Sequence, residues 1–366
     1  MAVRVFVAQH ARVGFDRFDA SRWPILEIEC APHPATPHDA RMRIAILIDL
    51  QKDDPTAYDA VADQVAHALD DGGHEVTILG IYQDVKRLID GVREFKPDLV
   101  FNLMESFGDV LFGSVGVVGL LDLLGVRYTG GGPGEFYLQQ DKALTKKQLA
   151  FDGIRYPDFA VFSQEADLET GGNLRMPLFV KPLRMDASIG IESNALVYNT
   201  RDMMKRILAI HEKINDGALV EEYIDGRELY VGVLGNSLPQ VLPPIEIDFS
   251  GLPEGAPKIM GGRAKWNKRS AEYKGTKAVV ADLPDELHAR VSKVALDAFR
   301  ALRVRDYGRV DMRLTPTGDI YVLEVNASCY LEQDSEFAVS AKVAGMNYLQ
   351  LINEIVDLAV ERHGIR

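Results

Sequence analysis

The spacing of apolar residues along this chain changes several times, and each change marks an element. RIAILID (Arg43–Asp49) is apolar at successive positions, as expected of a strand buried on both faces in a parallel sheet. Residues 57–72 then carry apolar side chains at helical spacing and stop at Gly72 and Gly73. The alternation recurs with HEVTILGI as a strand, Val85–Phe95 as a helix, PDLVFNLM as a third strand and a small-residue helix over 111–124. VRYTGGGPG closes the series, and its glycines, Gly130, Gly131, Gly132 and Gly134, lack G-x-G-x-x-G spacing and read as a tight turn. Alternating strands and helices predict a parallel α/β domain over residues 41–140. Residues 1–40, with a short apolar run over 3–7 and a Pro- and His-containing stretch over 31–38, read as an appended strand and linker.

Beyond residue 140 the pattern shortens. A helix (DKALTKKQLAFDG) leads to Tyr156-Pro157, and then MPLFVKPL is an apolar strand interrupted by Lys181. A lysine there is costly unless its ammonium meets an anion or reaches water. RMDASIGI reads as a flexible turn, 201–215 as a helix, and ALVEEYIDGRELYVGVLGN as two strands about the turn Asp225-Gly226. Residues 250–275 have the Gly and charge content of a mobile loop, and 286–303 and 347–362 are helical. The expected partition is 141–225 and 226–366, short-stranded α+β units following the α/β domain.

RVDMRLTPTGDIYVLEVN (residues 309–326) reads as a β-hairpin with turn chemistry in Thr-Pro-Thr-Gly-Asp. Centred between Thr317 and Gly318, it sets Asp311 opposite Glu324 and Arg309 opposite Asn326. Side chains alternate faces with period 2, so all four share one face, with opposed Cβ atoms roughly 5 Å apart. Two carboxylates, an amide oxygen and an arginine could hold Mg²⁺ and the phosphate it carries. The alternative is a set of solvated residues on the open face of an ordinary hairpin.

The formal net charge of −13 argues against a broad nucleic-acid or anionic-membrane surface, so phosphate chemistry must be local. An apolar share of 47% is ample for two or three cores over 366 residues. Cys30 and Cys329 are far apart without C-x-x-C spacing, which indicates neither a disulfide framework nor a zinc site and fits a reducing cytoplasm. No run of eighteen apolar residues occurs, and the N-terminal apolar run is too short for a signal peptide.

The order FVKP, VEEYIDGRE, RAKW, then GRVDMRL with LEVNAS resembles the ATP-grasp superfamily, and within it the D-alanine--D-alanine ligases and their amino-acid ligase relatives. The resemblance spans about 41–360. It implies an ATP-grasp fold preceded by a Rossmann-like α/β domain, and an ATP-dependent ligase that joins a carboxylate to an amine through an acyl phosphate. Phosphoryl transfer of that kind needs positioning and charge neutralisation more than covalent help from the protein. Position by position, Lys142 and Lys181 resemble the lysines on the ATP phosphates, and Ser188 resembles a phosphate-covering loop residue. Glu221, Glu222, Tyr223 and Ile224 resemble the segment that contacts adenine, and Glu228 the carboxylate for the ribose hydroxyls. Lys265 resembles a further lysine on the transferred phosphate. Asp311, Glu324 and Asn326 resemble the ligands of two Mg²⁺ ions, with Mn²⁺ as a substitute, and Arg309 the arginine that stabilises the acyl phosphate.

The same family grips its first D-alanine with segments for which this chain has LIDLQKDDPTAYDAV and NLMESFGDVLFG instead. Trp266 stands where the family has a tyrosine, and NASCYLEQDSEF replaces a small-residue turn, with Ser335 alignable to a serine there. The expectation is therefore retained ATP chemistry with rebuilt sites for amino-acid or dipeptide substrates, Glu105, Arg263, Tyr330, Glu332 and Ser335 being the candidate contacts. Cys329 could line the acyl site or simply pack. The family also implies a homodimer. The competing readings are a D-alanine--D-alanine ligase with divergent recognition and a nucleotide binder without turnover.

Overall fold

In the computed structural model, Arg43–Asp49, with its five central residues buried, lies between Glu75–Ile81 and Leu99–Asn102 in a three-stranded parallel sheet. The structure describes residues 41–365 apart from 55–56, 165–167, 186–189 and 268, so the expected appendage over 1–40 and Ser188 lie outside the described residues. Helices Val61–Asp71, Val85–Phe95 and Gly113–Leu123 connect and cover this sheet; the second has the bounds that the sequence pattern predicts, and the first and third are slightly shorter. The second begins where the Asp84 carboxylate accepts the Lys86 N–H and ends at Lys96 in a left-handed conformation. One core joins the sheet to the C-terminal helix Tyr348–His363, with Ile44, Val65 and Leu69 buried beside Leu351, Ile355 and Val356.

The rest is built from two antiparallel sheets. Leu178–Pro182 and Ala218–Glu222 pair within a five-stranded sheet that also holds Phe159–Phe162, Leu168–Thr170 and Leu196–Val197. The other has six strands in the order Lys277–Val280, Ile245–Asp248, Arg227–Leu234, Tyr307–Leu314 and Ile320–Asn326, with Gln240–Val241 on the third. Helix Asp285–Ala301 covers one face of it through Val291, Ala295, Ala298 and Phe299. The sequence expectation of α/β followed by short-stranded α+β architecture holds. Residues 250–275, expected as a mobile loop, instead contain two short helices, Gly262–Trp266 and Ala271–Lys274. The Ser270 hydroxyl caps the second by accepting the Tyr273 N–H. The sequence pattern also passes over helices Pro133–Gln140 and Glu336–Val343, too short to establish a clear apolar period.

A buried carboxylate ties the layers together. Asp306 accepts hydrogen bonds from the Gly130 N–H at 2.7 Å, from Asn236 Nδ2 at 3.1 Å and from two nitrogens of Arg362 at 2.9 and 2.7 Å. Gly130, at φ +81°, thereby docks the glycine-rich turn onto the start of the hairpin and the C-terminal helix, a structural role for that turn. Among the described residues no helix is long and apolar enough to cross a membrane.

Candidate functional site

The hairpin Tyr307–Leu314 and Ile320–Asn326 pairs Arg309 with Asn326 and Asp311 with Glu324, as its symmetry predicts. Nearer the turn, however, Met312 pairs with Val322 and Leu314 with Ile320, which centres the turn on Thr317. A β-bulge reconciles the two registers, with Leu323 as the extra residue. Ile320, Val322 and Val325 are buried in the core, whereas the consecutive residues Leu323 and Glu324 both face a cavity. Strict alternation cannot deliver two neighbours to one face. The bulge adds an apolar wall beside the Glu324 carboxylate.

Arg227–Leu234 extends the polar face by three rungs: Gly232 opposite Arg309, Tyr230 opposite Asp311, and Glu228 opposite Arg313. Arg309 forks onto Asp311 through Nε at 2.7 Å and Nη2 at 2.8 Å, and its guanidinium lies 4.4 Å from the Tyr230 ring centre. Burial pushes the Asp311 carboxyl up to about 7 against the pull of Arg309. Glu324 is also buried, but Lys181, Lys142, Lys265 and Arg309 outweigh that burial and hold it down to about 2. Asn326 Nδ2 lies 3.3 Å from Asp311 Oδ2. Glu228 accepts from Arg313 Nη2 at 2.5 Å and from the Tyr230 hydroxyl at 3.0 Å, so its carboxylate is oriented in advance. The turn before it needs Gly226, because a Cβ there would stand 2.2 Å from the Leu314 carbonyl oxygen.

Two cavities open beside this face. The first, about 90 Å³, is lined by Glu221, Glu222, Tyr223 and Ile224 on one side and by Glu228 and Leu323 on others, with Lys181 and Lys265 also in its walls. Lys181 meets the anion that its strand context requires: its Nζ is 2.7 Å from Glu221 Oε1. The other oxygen of Glu221 is 2.9 Å from Lys146 Nζ. All three are buried. Burial works against Lys146 and Lys181 alike, but for Lys181 the carboxylates of Glu221 and Glu324 prevail and raise its pKa. The Glu222 carboxylate is engaged by Arg175 at 2.9 and 3.1 Å, which leaves its main chain to face the cavity.

The second cavity, about 400 Å³, shares Lys265 and Glu324 with the first and adds Lys142, Arg309, Asn326 and Ser335. Lys142 donates to the Met185 carbonyl at 2.7 Å. Ser335 caps helix Glu336–Val343 by accepting the Ala338 N–H at 3.4 Å, so its hydroxyl has a structural duty as well as a place in the wall. Of the five candidate substrate contacts, Glu105, Tyr330 and Ser335 line this cavity. Arg263 instead pairs with Glu272 at 3.1 Å, and Glu332 with Gln64 Nε2 at 3.2 Å. A side pocket of about 140 Å³ continues from Glu105, Cys329 and Tyr330 to Asp49 and Asp59. Cys329 lines both spaces, with its thiol pushed up to about 12 by burial and therefore protonated at neutral pH. The side chain of Trp266 lies outside the described residues.

Sequence reading missed Lys146, Tyr230, Arg313 and Leu323. Arg313 continues the period-2 series Arg309, Asp311, and Lys146 follows Lys142 by one helical turn, so both were within reach of spacing. Tyr230 needed the pairing of a distant strand, and Leu323 needed the bulge.

The model of the family described as D-ala D-ala ligase C-terminus matches residues 144–357, more than half of the chain. An uncharacterized protein of Sinorhizobium fredii is 33% identical over 86% of this chain and 91% of its own length. A D-alanine--D-alanine ligase of Desulforudis audaxviator is 33% identical over 81% of this chain and 92% of its own. A crystal structure of D-alanine--D-alanine ligase from Bacillus anthracis complexed with ATP has the same fold, with a TM-score of 0.68 at 23% identity over 88% of this chain and 99% of that one. The chain belongs to the D-alanine--D-alanine ligase family of ATP-grasp proteins. Its reaction class is ATP-dependent ligation of a carboxylate to an amine.

Proposed function

We propose that this ligase joins two small amino-acid-like substrates into an amide or peptide, and that it does so with rebuilt substrate recognition. The observation that carries the reading is the continuity of the cleft. The space beside Glu221, Glu222, Tyr223, Ile224 and Leu323 runs past Lys181 and Lys265 to the face of Arg309, Asp311, Glu324 and Asn326, the first two buried and the others half-buried, and on into a cavity with different walls. Glu228, oriented by Arg313 and Tyr230, takes the ribose hydroxyls, while Lys142, Lys181 and Lys265 neutralise the phosphates.

Asp311, Glu324 and Asn326 fit magnesium with hard oxygen ligands, and a carboxyl that burial raises to about 7 gains from a cation beside it. Among the described residues no three His, Cys, Asp or Glu side chains form a self-sufficient metal site, so two ions would complete their shells with nucleotide oxygens. When bound, they screen phosphate charge and withdraw electrons from the transferred phosphoryl group. The donor carboxylate oxygen bonds to the γ-phosphorus as the bridging P–O bond to ADP breaks. The acceptor amine then bonds to the acyl carbon, phosphate leaves with the C–O electron pair, and the amine loses a proton. Arg309 stabilises the charge that develops at both centres, and Ser335 stands in the wall where the acyl group forms.

A homodimer in the cytoplasm completes the proposal. The helix Gly113–Leu123 ends with Leu123 at 87% exposure beside Leu124, and Val110 and Leu111 are exposed at its start, an apolar surface suited to a second copy. The unpaired thiol of Cys329 fits a reducing compartment. The test is ADP release from ATP and Mg²⁺ with pools of amino acids and carboxylic acids, with mass spectrometry of the condensed product. A product from mixed pools but not from D-alanine alone is expected. D-alanyl-D-alanine as the preferred product would restore the narrower ligase, and tight ATP binding without substrate-dependent ADP would overturn the enzyme reading.

A further inference from the structure

Lys146 lines neither of the two cavities of the cleft, yet its ammonium is wholly buried against Glu221 in the wall of the first. Helix Lys142–Phe151 places Lys142 and Lys146 one turn apart, so the first reaches the larger cavity while the second lies against the Glu221 carboxylate. Glu221 is therefore shared, with Lys146 Nζ at 2.9 Å from one oxygen and Lys181 Nζ at 2.7 Å from the other. Only Glu221 and Lys181 of this triad line the smaller cavity.

The arithmetic of charge makes the third member informative. A buried Lys181–Glu221 pair would already sum to zero, so a second buried ammonium adds a charge, with its desolvation cost, that neutrality does not require. A neutral pair exerts little net attraction on a polyphosphate. Two ammoniums on one carboxylate sum to +1, and the exposed face of that sum is the Lys181 ammonium, which keeps further N–H donors to direct into the cavity. We infer that Lys146 is a positioning residue that neutralises Glu221 from behind, leaving Lys181 with a positive charge that Glu221 does not cancel and that the phosphate chain of the nucleotide can meet. This rests on the nucleotide reading of the cavity above.

The test compares ADP with adenosine, which lacks phosphates, by calorimetric titration of the full chain in Mg²⁺ buffer. Lys146→Met makes the remaining pair neutral, and ADP is expected to weaken by about tenfold or more while adenosine changes by less than about twofold. Lys146→Arg restores the charge and most of the ADP affinity. The sharper arm has the opposite sign. Glu221→Gln raises the local sum to +2 and should increase the ratio of ADP to adenosine affinity above wild type, and Lys146→Met/Glu221→Gln, back at +1, should return that ratio toward wild type. These last two variants keep the test alive if Lys146→Met alone does not fold. Equal losses of ADP and adenosine in Lys146→Met, an unchanged ADP affinity there, or a fall in the ratio for Glu221→Gln would each overturn the inference while leaving the nucleotide site standing. Wild-type protein that binds neither ligand would remove the nucleotide reading and this inference with it.

Discussion

The two ends of the cleft are built by different means. At the nucleotide end three ion pairs stand on the sheets: Glu228 with Arg313, Asp311 with Arg309, Lys181 with Glu221. At the substrate end Glu105 is exposed, the Tyr330 hydroxyl donates to Asp59 across 271 positions of sequence, and the backbone N–H of Gln333 donates to Gln64. The first set occupies two sheets and is buried there, so changing one member of a pair strands the other. The second joins loops 49–59 and 327–335, which can change without disturbing a ladder. On the proposed function, reaction class resides in the lattice and substrate choice in the loops laid over its end.

The largest effect should come from the lattice. Asp311→Asn or Glu324→Gln is expected to reduce substrate-dependent ADP release by roughly a thousandfold or more. The fold should survive Asp311→Asn, because the amide keeps the side chain's shape and an oxygen for Arg309, which also has the Glu336 carboxylate at 3.7 Å. Circular dichroism and thermal melts check the fold, and near-normal turnover with either variant would remove that residue from the metal and phosphate site.

Arg313→Met tests the next rung. It leaves Glu228 as a buried carboxylate without its cation, at a stability cost of ~3 kcal/mol or more. The KM for ATP should rise by about tenfold or more as the carboxylate loses its orientation, while the KM for the amino-acid substrates changes little. The double variant Arg313→Met/Glu228→Gln should recover much of the stability and little of the ATP affinity. Denaturant unfolding and steady-state kinetics read the two parts separately, and recovery of both together would reduce Arg313 to a structural ion pair.

How much of this was legible in the sequence follows the same division. Arg43–Asp49 announced itself as a buried parallel strand because five apolar residues in succession suit few other environments. The pairing of Asp311 with Glu324 was legible because hairpin symmetry is local. The bulge at Leu323 was not, because two registers related by a one-residue slip fit the same turn letters. The partners of Glu221 and Glu228 lie 75 residues before the one and 85 after the other, at Lys146 and Arg313, and only tertiary pairing selects them. The loop contacts were least legible. Tyr330, Glu332 and Arg263 all have the chemistry of substrate contacts, yet Glu332 and Arg263 are engaged with Gln64 and Glu272.

The titration of Asp311 gives a smaller, graded contrast. Its carboxyl is raised by burial to about 7, above the ordinary carboxylate range, so without metal the folded state holds a proton that the unfolded state releases. That residue's contribution to stability therefore falls as pH rises from about 4 through 7. A cation that takes the deprotonated carboxylate displaces the proton, so Mg²⁺-nucleotide affinity should climb by about tenfold between pH 6 and 8. Glu324, held down to about 2, stays ionised throughout that window and adds no slope. Thermal-shift titrations with Mg²⁺ and ADP at the two pH values provide the check. A flat response would place Asp311 outside the metal's immediate reach.

The smallest effect belongs to the loops, and its direction matters more than its size. The Tyr330 hydroxyl donates to Asp59 Oδ1 at 2.9 Å, and the same ring lines both the larger cavity and the side pocket. Tyr330→Phe keeps the ring and loses one hydrogen bond to a charged, solvent-accessible partner, at roughly 1 kcal/mol. The loop 327–335 has other ties, among them Gln139 Oε1 accepting the Ala327 and Ser328 N–H groups and the Tyr348 hydroxyl donating to the Leu331 carbonyl, so the fold should hold. If this end of the cleft selects substrate, the KM for one amino-acid substrate should shift by several-fold while the KM for ATP stays constant. An equal shift in both would mean that the loop is coupled to the lattice, and the separation of reaction from recognition would fail at the point where the two cavities share Glu324 and Lys265.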